Sequence, residues 1–112
     1  MSDKRKNTRV PLDIYLNKYM KGVPYLAHAA DISQEGVSLS RLIEPSHDAR
    51  RVGLQFQLPG SEEVIYAEGE VVREWVEAKP RRHERSGVRF TLLTQRHRRL
   101  IDDYVTRSAQ AH

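Results

Sequence analysis

The chain contains no cysteine, which excludes a disulfide framework, a thiolate zinc site and a cysteine nucleophile. No apolar run comes near the ~20 residues that a membrane-spanning helix needs, and the polar N-terminus lacks the apolar core of a signal peptide. A soluble cytoplasmic protein without membrane insertion is the expectation. Its five histidines, His28, His47, His83, His97 and His112, show no metal-ligand spacing. No Ser-His-Asp order, paired-carboxylate site or phosphate-binding glycine loop is present either, so a non-enzymatic role is expected. Internal repeats and low-complexity segments are also missing.

What is present fits a single domain. A chain of 112 residues can bury one modest core. The net charge is +4, and its placement says more than its size. Lys4, Arg5, Lys6 and Arg9 crowd the first nine residues against Asp3 alone. Lys79, Arg81, Arg82, Arg85, Arg89, Arg96, Arg98 and Arg99 form a second basic region opposed only by Glu84. Between residues 13 and 77, acids outnumber bases eleven to six. Two basic surfaces on an acidic body point to an anionic partner: a nucleotide, a nucleic acid or an acidic protein face.

Residues 1–9 carry almost nothing apolar and read as a flexible basic arm. Leu12, Ile14 and Leu16 then alternate with polar residues, the period of a half-buried strand. Lys21-Gly22-Val23-Pro24 breaks that strand, and residues 25–32 and 37–41 resume it. A loop or a single helical turn is expected over 42–51. Val52, Leu54, Phe56 and Leu58 mark the clearest strand. Residues 62–77 follow as a long strand, where Gly69 signals a bulge or sharp coil. Residues 79–84 read as a basic loop, and Val88, Phe90 and Leu92 as the last strand. Thr94 is a good N-cap, and Leu100, Ile101, Tyr104 and Val105 fall at helical spacing behind it. His28 reads as a sheet residue and His97 as half-buried packing of this helix. Six short strands without β-α alternation predict a small antiparallel barrel or sandwich. The chain divides into an arm over 1–9, a β-barrel over 10–93 and a C-terminal helix over 94–109.

Asp31-Ile32-Ser33-Gln34-Glu35-Gly36 connects two of the strands and is longer than a tight hairpin requires. Asp31 can accept from paired N–H donors, Ser33 can donate to a phosphate, and Gly36 lets a ligand approach the backbone. The bland alternative is a plain loop in which Asp31 caps its own backbone. Arg5 and Arg9 are four positions apart, about 13 Å on one side of an extended chain at ~3.3 Å per residue. Both guanidinium groups can therefore close on one ligand. A guanidinium fork matches phosphate and also the O6/N7 edge of guanine, while a carboxylate such as Asp31 can accept from guanine's opposite edge. The bland alternative for the pair is a solvated tail.

R-x-x-x-R, here Arg5-Lys6-Asn7-Thr8-Arg9, followed by D-x-S-x-x-G, here Asp31 to Gly36, resembles the signature of the PilZ domain. Val37-Ser38-Leu39 and Gly87-Val88-Arg89-Phe90 also resemble that family. The resemblance runs from Arg5 to the terminal helix. It implies a six-stranded antiparallel β-barrel of the PilZ-like, split-barrel type, with a C-terminal α-helix, that binds the bacterial second messenger cyclic di-GMP. Residue by residue it implies Arg5 and Arg9 as the clamp on phosphates and a guanine face, and Asp31 as the reader of a guanine edge. It further implies Ser33 against phosphate or guanine, Gly36 keeping the approach clear, and Lys4 near the ligand. A stand-alone sensor of this kind would order its arm on binding and signal to a downstream protein partner, in motility, biofilm formation or development.

The competing expectation is a small basic barrel that binds nucleic acid, directly or under cyclic di-GMP control. Such barrels pair exposed aromatics with a basic groove, and here Tyr15, Tyr19, Tyr25, Tyr66 and Trp75 all lie outside the basic runs. Trp75 and Tyr66 fit sheet packing, although an aromatic near the ligand could stack on guanine. One ligand or an intercalated pair, and a monomer or a homodimer, are all compatible with the sequence.

Overall fold

The computed structural model describes residues 8–45 and 47–111. Six strands follow in order: β1 (Val10–Met20), β2 (Val23–Ile32), β3 (Gly36–Arg41), β4 (Arg51–Phe56), β5 (Ile65–Glu77) and β6 (His83–Leu93). One helix, α1 (Gln95–Gln110), ends the chain. All pairings are antiparallel, and the strands close into a barrel in the order β1-β2-β3-β6-β5-β4. The chain thus makes two three-stranded meanders, joined where β3 meets β6 and closed where β1 meets β4. Closure runs through Asn17, Lys18 and Tyr19 of β1, which lie opposite Gln55, Leu54 and Gly53 of β4. The six-stranded antiparallel barrel with a C-terminal helix is the architecture expected from the sequence.

Alternation explains most of the core. In β1, Val10, Leu12, Leu16 and Met20 point inward, and in β4 Val52, Leu54 and Phe56 do the same. Ile32, Val37, Leu39, Leu54, Ile65 and Val88 are among the largest side chains wholly removed from water. The barrel bends where the register slips. One slip falls between Pro11 and Ile14, where Asp13 has φ 53°, and another between Glu68 and Gly69. At Gly69 a Cβ would meet the Val88 side chain at 2.5 Å, so the bulge expected there also serves close packing against β6.

Several boundaries differ from the sequence expectation. β2 begins at Val23, taking in the Val23-Pro24 expected to break the strand, and β4 ends at Phe56, before Leu58. β6 begins at His83, so His83 and Glu84 belong to a strand and not to the basic loop. The alternation there is polar because β5 and β6 run on together as a two-stranded ribbon, pairing Trp75 with Arg85 and Glu77 with His83. Arg85 reaches Glu77 at 2.7 Å and His83 reaches it at 3.3 Å. Burial pushes the Glu77 carboxyl up, but the Arg85 charge and hydrogen bond, with help from Trp75 and His83, hold it below its ordinary range. β5 starts at Ile65, later than residue 62.

Thr94 caps α1 as expected, its hydroxyl accepting from the His97 N–H at 3.1 Å. Ile101 and Val105 carry the helix's apolar stripe into the barrel core, and the Tyr104 hydroxyl donates to the Pro11 carbonyl. His97 does more than pack: its Nδ1 accepts from the Tyr66 N–H at 3.3 Å. Arg96 forks onto the Glu63 carboxylate at 2.5 and 2.7 Å. That bidentate bond, from Arg96, holds the Glu63 carboxyl below its ordinary value. Basic charge at a helix N-terminus opposes the macrodipole, and Glu63 offsets that cost for Arg96.

Candidate functional site

Asp31 is the last residue but one of β2, and the chain must reverse within a few residues to start β3. Ser33 builds that reversal. Its N–H donates to the Gly36 carbonyl at 2.8 Å, and its hydroxyl accepts from the Glu35 and Gly36 N–H groups at 3.2 Å each. The same hydroxyl donates to the Gly36 carbonyl at 3.4 Å. Ser33 is 3% exposed, so its hydrogen-bonding capacity is spent inside the turn. This is the local side-chain-to-backbone bonding that lets Ser stabilise a turn.

The turn is also stitched to β6, the neighbour of β3 from the other meander. The Phe90 N–H donates to the Glu35 carbonyl at 2.8 Å, and Gly36 lies opposite Arg89 in the β3–β6 pairing. A Cβ on Gly36 would sit 2.2 Å from the Val88 carbonyl oxygen and 3.3 Å from the Arg89 Cα. Any side chain there must push β6 away from β3. Gly36 therefore has a structural reason for its identity, a close approach of two strands, alongside any ligand reason.

Arg9 stands just before β1 and Asp31 opposes Pro11 across the β1–β2 pair. Pairing brings the two side chains together: Arg9 Nη1 donates to Asp31 Oδ1 at 2.7 Å. Both groups remain partly exposed. They share the rim of a hollow of about 450 Å³ with Ser33 and Gly36. Its other wall comes from β5 and β6, chiefly Val72, Arg73, Trp75 and Arg89. The Arg73 guanidinium stacks 4.5 Å over the Trp75 ring, within the range of a cation–π contact. Arg89 is held by Glu70 at 2.7 Å.

Four of the six residues singled out from the sequence, Arg9, Asp31, Ser33 and Gly36, thus line one hollow. Arg5 and Lys4 lie outside the described residues, as does all of the expected 1–9 arm before Thr8. Sequence reasoning did not assign Arg73 or Arg89 to the site. A signal for Arg89 existed: Val88 must face the core, so Gly87 and Arg89 must face out, beside Gly36. Arg73 carried no such signal, because the register slips between Val71 and Arg73 and breaks the count of two. Chemically, the hollow offers a carboxylate that accepts, guanidinium groups that donate, and an indole face. That set suits a ligand with a planar, N–H-bearing ring and anionic oxygens.

Comparison with known proteins agrees with this architecture. The structure of the Bacillus subtilis inhibitor of motility, MotI/DgrA, superposes with a TM-score of 0.74 at 17% identity, covering 92% of this chain and 51% of that one. The PilZ domain with c-di-GMP of YcgR from Escherichia coli superposes at 0.64 and 12% identity, covering 92% of this chain and 89% of that one. MrkH, described as a c-di-GMP-dependent transcription regulatory factor, superposes at 0.70 and 21% identity, covering 93% of this chain and 50% of that one. This chain therefore spans about half the length of MotI and MrkH. No curated protein sequence matches significantly. The family model for the PilZ domain matches residues 3–107. With nearly the whole chain matched, and with Arg9 and the Asp31–Gly36 turn meeting at one hollow, this chain belongs to the PilZ domain family.

Proposed function

We propose that this chain is a cyclic di-GMP receptor whose site is the hollow between the Asp31–Gly36 turn and the β5–β6 ribbon. The observation that carries this reading is the Arg9–Asp31 contact at 2.7 Å on the rim of that hollow. It joins the cationic motif of the N-terminal segment to the guanine-reading motif of the loop. MotI aside, the similar structures named above are described with c-di-GMP, which supports the same ligand here.

In this reading Asp31 accepts from the N1–H and N2–H₂ groups of one guanine. Arg9, with Arg5 four residues earlier, takes phosphate oxygens or the O6/N7 edge, and Lys4 adds charge near the phosphates. Trp75, with Arg73 beside it, supplies a stacking face. Ser33 and Gly36 hold Asp31 in place, and a contact from Ser33 Oγ to the ligand would have to compete with its turn hydrogen bonds. Each charge-assisted contact is worth ~1.5–3 kcal/mol, against an ordering cost of ~1–2 kcal/mol per residue fixed. Gathering residues 1–9 around the ligand changes the surface beside the hollow, and a partner protein reads that change.

Calorimetric titration with cyclic di-GMP, with cyclic di-AMP as control, tests the reading. Saturable binding of the guanine compound alone is the expected result. Absence of binding, or equal binding of both compounds, overturns it.

A further inference from the structure

A second hollow, of about 780 Å³, shares no lining residue with the first. Its floor is aliphatic: Leu26 on β2 is 53% exposed, and Leu42 and Ile43, just after β3, are 39% and 93% exposed. Its wall is the loop between β5 and β6, with Arg81 and Arg82, and the start of β6 at His83. Leucine and isoleucine side chains standing in water beside bare arginines cost free energy that a solvated face would avoid.

The corner that presents Ile43 is not a loose loop. The next residue, Glu44, has a fully buried side chain. Lys18 Nζ lies 3.0 Å from both of its oxygens, His47 Nε2 2.7 Å from Oε1 and Arg41 Nε 3.1 Å from Oε1. Burial would push this carboxyl up, but the His47 and Lys18 hydrogen bonds and the Lys18 and Arg41 charges overrule it and hold it low. A charged residue clamped inward on the barrel thus holds its neighbour Ile43 outward. The surface is prearranged, which lowers the ordering cost of binding.

Charge decides the occupant. Arg41 is already matched by Glu44 and by Glu84 at 2.7 Å, and His83 by Glu77. Arg81 and Arg82 are exposed and have no carboxylate partner among the described residues. We propose that this groove docks an acidic, aliphatic-anchored segment of a partner protein, its apolar side chains on Leu26, Leu42 and Ile43 and its carboxylates on Arg81 and Arg82. Nucleic acid fits the groove less well: the floor has no aromatic ring on which a base could stack, and Glu84 stands on its rim. The assignment does not depend on the ligand of the first hollow.

Panning a displayed random-peptide library on the full-length protein tests this, followed by fluorescence anisotropy of the enriched peptides. Enrichment of Asp/Glu flanking Leu, Ile, Val or Met is expected. Ile43→Asp, and separately the double change Arg81→Glu/Arg82→Glu, should each weaken those peptides about tenfold or more, as loss of an interface anchor does. These positions are exposed, so both variants should keep the wild-type unfolding midpoint, which checks that the fold is intact. Failure to enrich a consensus, a basic or purely polar consensus, or affinity unchanged in both variants overturns the proposal. So does tighter binding of single-stranded oligonucleotides that Arg81→Glu/Arg82→Glu abolishes, or self-association that Ile43→Asp abolishes.

Discussion

Arg9 and Asp31 stand 22 positions apart in the chain, and the guanidinium of one rests 2.7 Å from the carboxylate of the other. Strand pairing alone brings them there, since Asp31 lies opposite Pro11 at the start of β1. In the proposed site each partner is already half-satisfied: a ligand that takes Asp31 would have to give Arg9 an oxygen of its own. A ring with N–H donors joined to a phosphate does both at once. An exposed pair of this kind contributes ~0–1 kcal/mol to stability, so its residues can be changed with little risk to the fold.

Arg9→Ala and Asp31→Ala should each weaken cyclic di-GMP at least about tenfold, which is ~1.4 kcal/mol. Their urea midpoints should stay close to wild type. Titration calorimetry and unfolding on the same samples give both numbers. Wild-type affinity in both variants would sink the ligand assignment.

Trp75 is the one tryptophan in the chain, and it lies against both Arg73, at 4.5 Å, and Arg85, at 5.6 Å. A guanine stacking on it should displace Arg73 and change its fluorescence in proportion to saturation. Trp75→Leu should cost affinity by roughly the ~1–3 kcal/mol of one stacked base. Unchanged emission at saturating ligand would place the base elsewhere in the hollow.

Gly36→Ala and Gly53→Ala provide a matched contrast. The added methyl at Gly36 meets backbone, the Val88 carbonyl oxygen at 2.2 Å, and backbone cannot swing aside. The expected loss is ~1–3 kcal/mol, the usual cost of overpacking. At Gly53 the nearest atom is the Tyr66 hydroxyl at 2.7 Å, the end of a half-exposed side chain that can rotate away. A loss under about 1 kcal/mol is expected there. Denaturant unfolding ranks the two, and the reverse order would contradict the β3–β6 approach described above.

Acid sensitivity should centre on Glu44. Its folded-state value lies below the ordinary 4.5, so its contribution is fully present above about that pH. The contribution falls away as pH drops through the lower folded value. Glu44→Gln should flatten the acid limb of the stability curve. At neutral pH it should also cost ~3–5 kcal/mol, because Lys18, 5% exposed, loses its counter-charge while remaining buried. Unfolding free energies across pH, compared between the two proteins, decide this. Parallel acid limbs would mean that other carboxylates carry the effect.

The order and number of the strands were legible in the sequence because a half-buried strand must alternate, and Val52-Gly53-Leu54-Gln55-Phe56 can hardly do otherwise. The cap at Thr94 was legible for a similar reason, since its hydroxyl serves a backbone three residues away. The turn from Asp31 to Gly36 was legible as chemistry, because a carboxylate, a hydroxyl and a glycine in that spacing are short-range facts. What the sequence by itself determined is therefore whatever depends on neighbours within a few residues. Closure of the barrel decided the rest. It set Arg9 on Asp31, brought Val88 so close that position 36 admits no side chain, and turned Arg73 and Trp75 toward the same hollow. It also buried Lys18, which sits on the inward parity of β1 with Leu16 and Met20, and delivered Glu44 to it from a loop that composition alone would leave in water. A charge is buried only where an opposite charge arrives to meet it, and that meeting is a property of the folded chain.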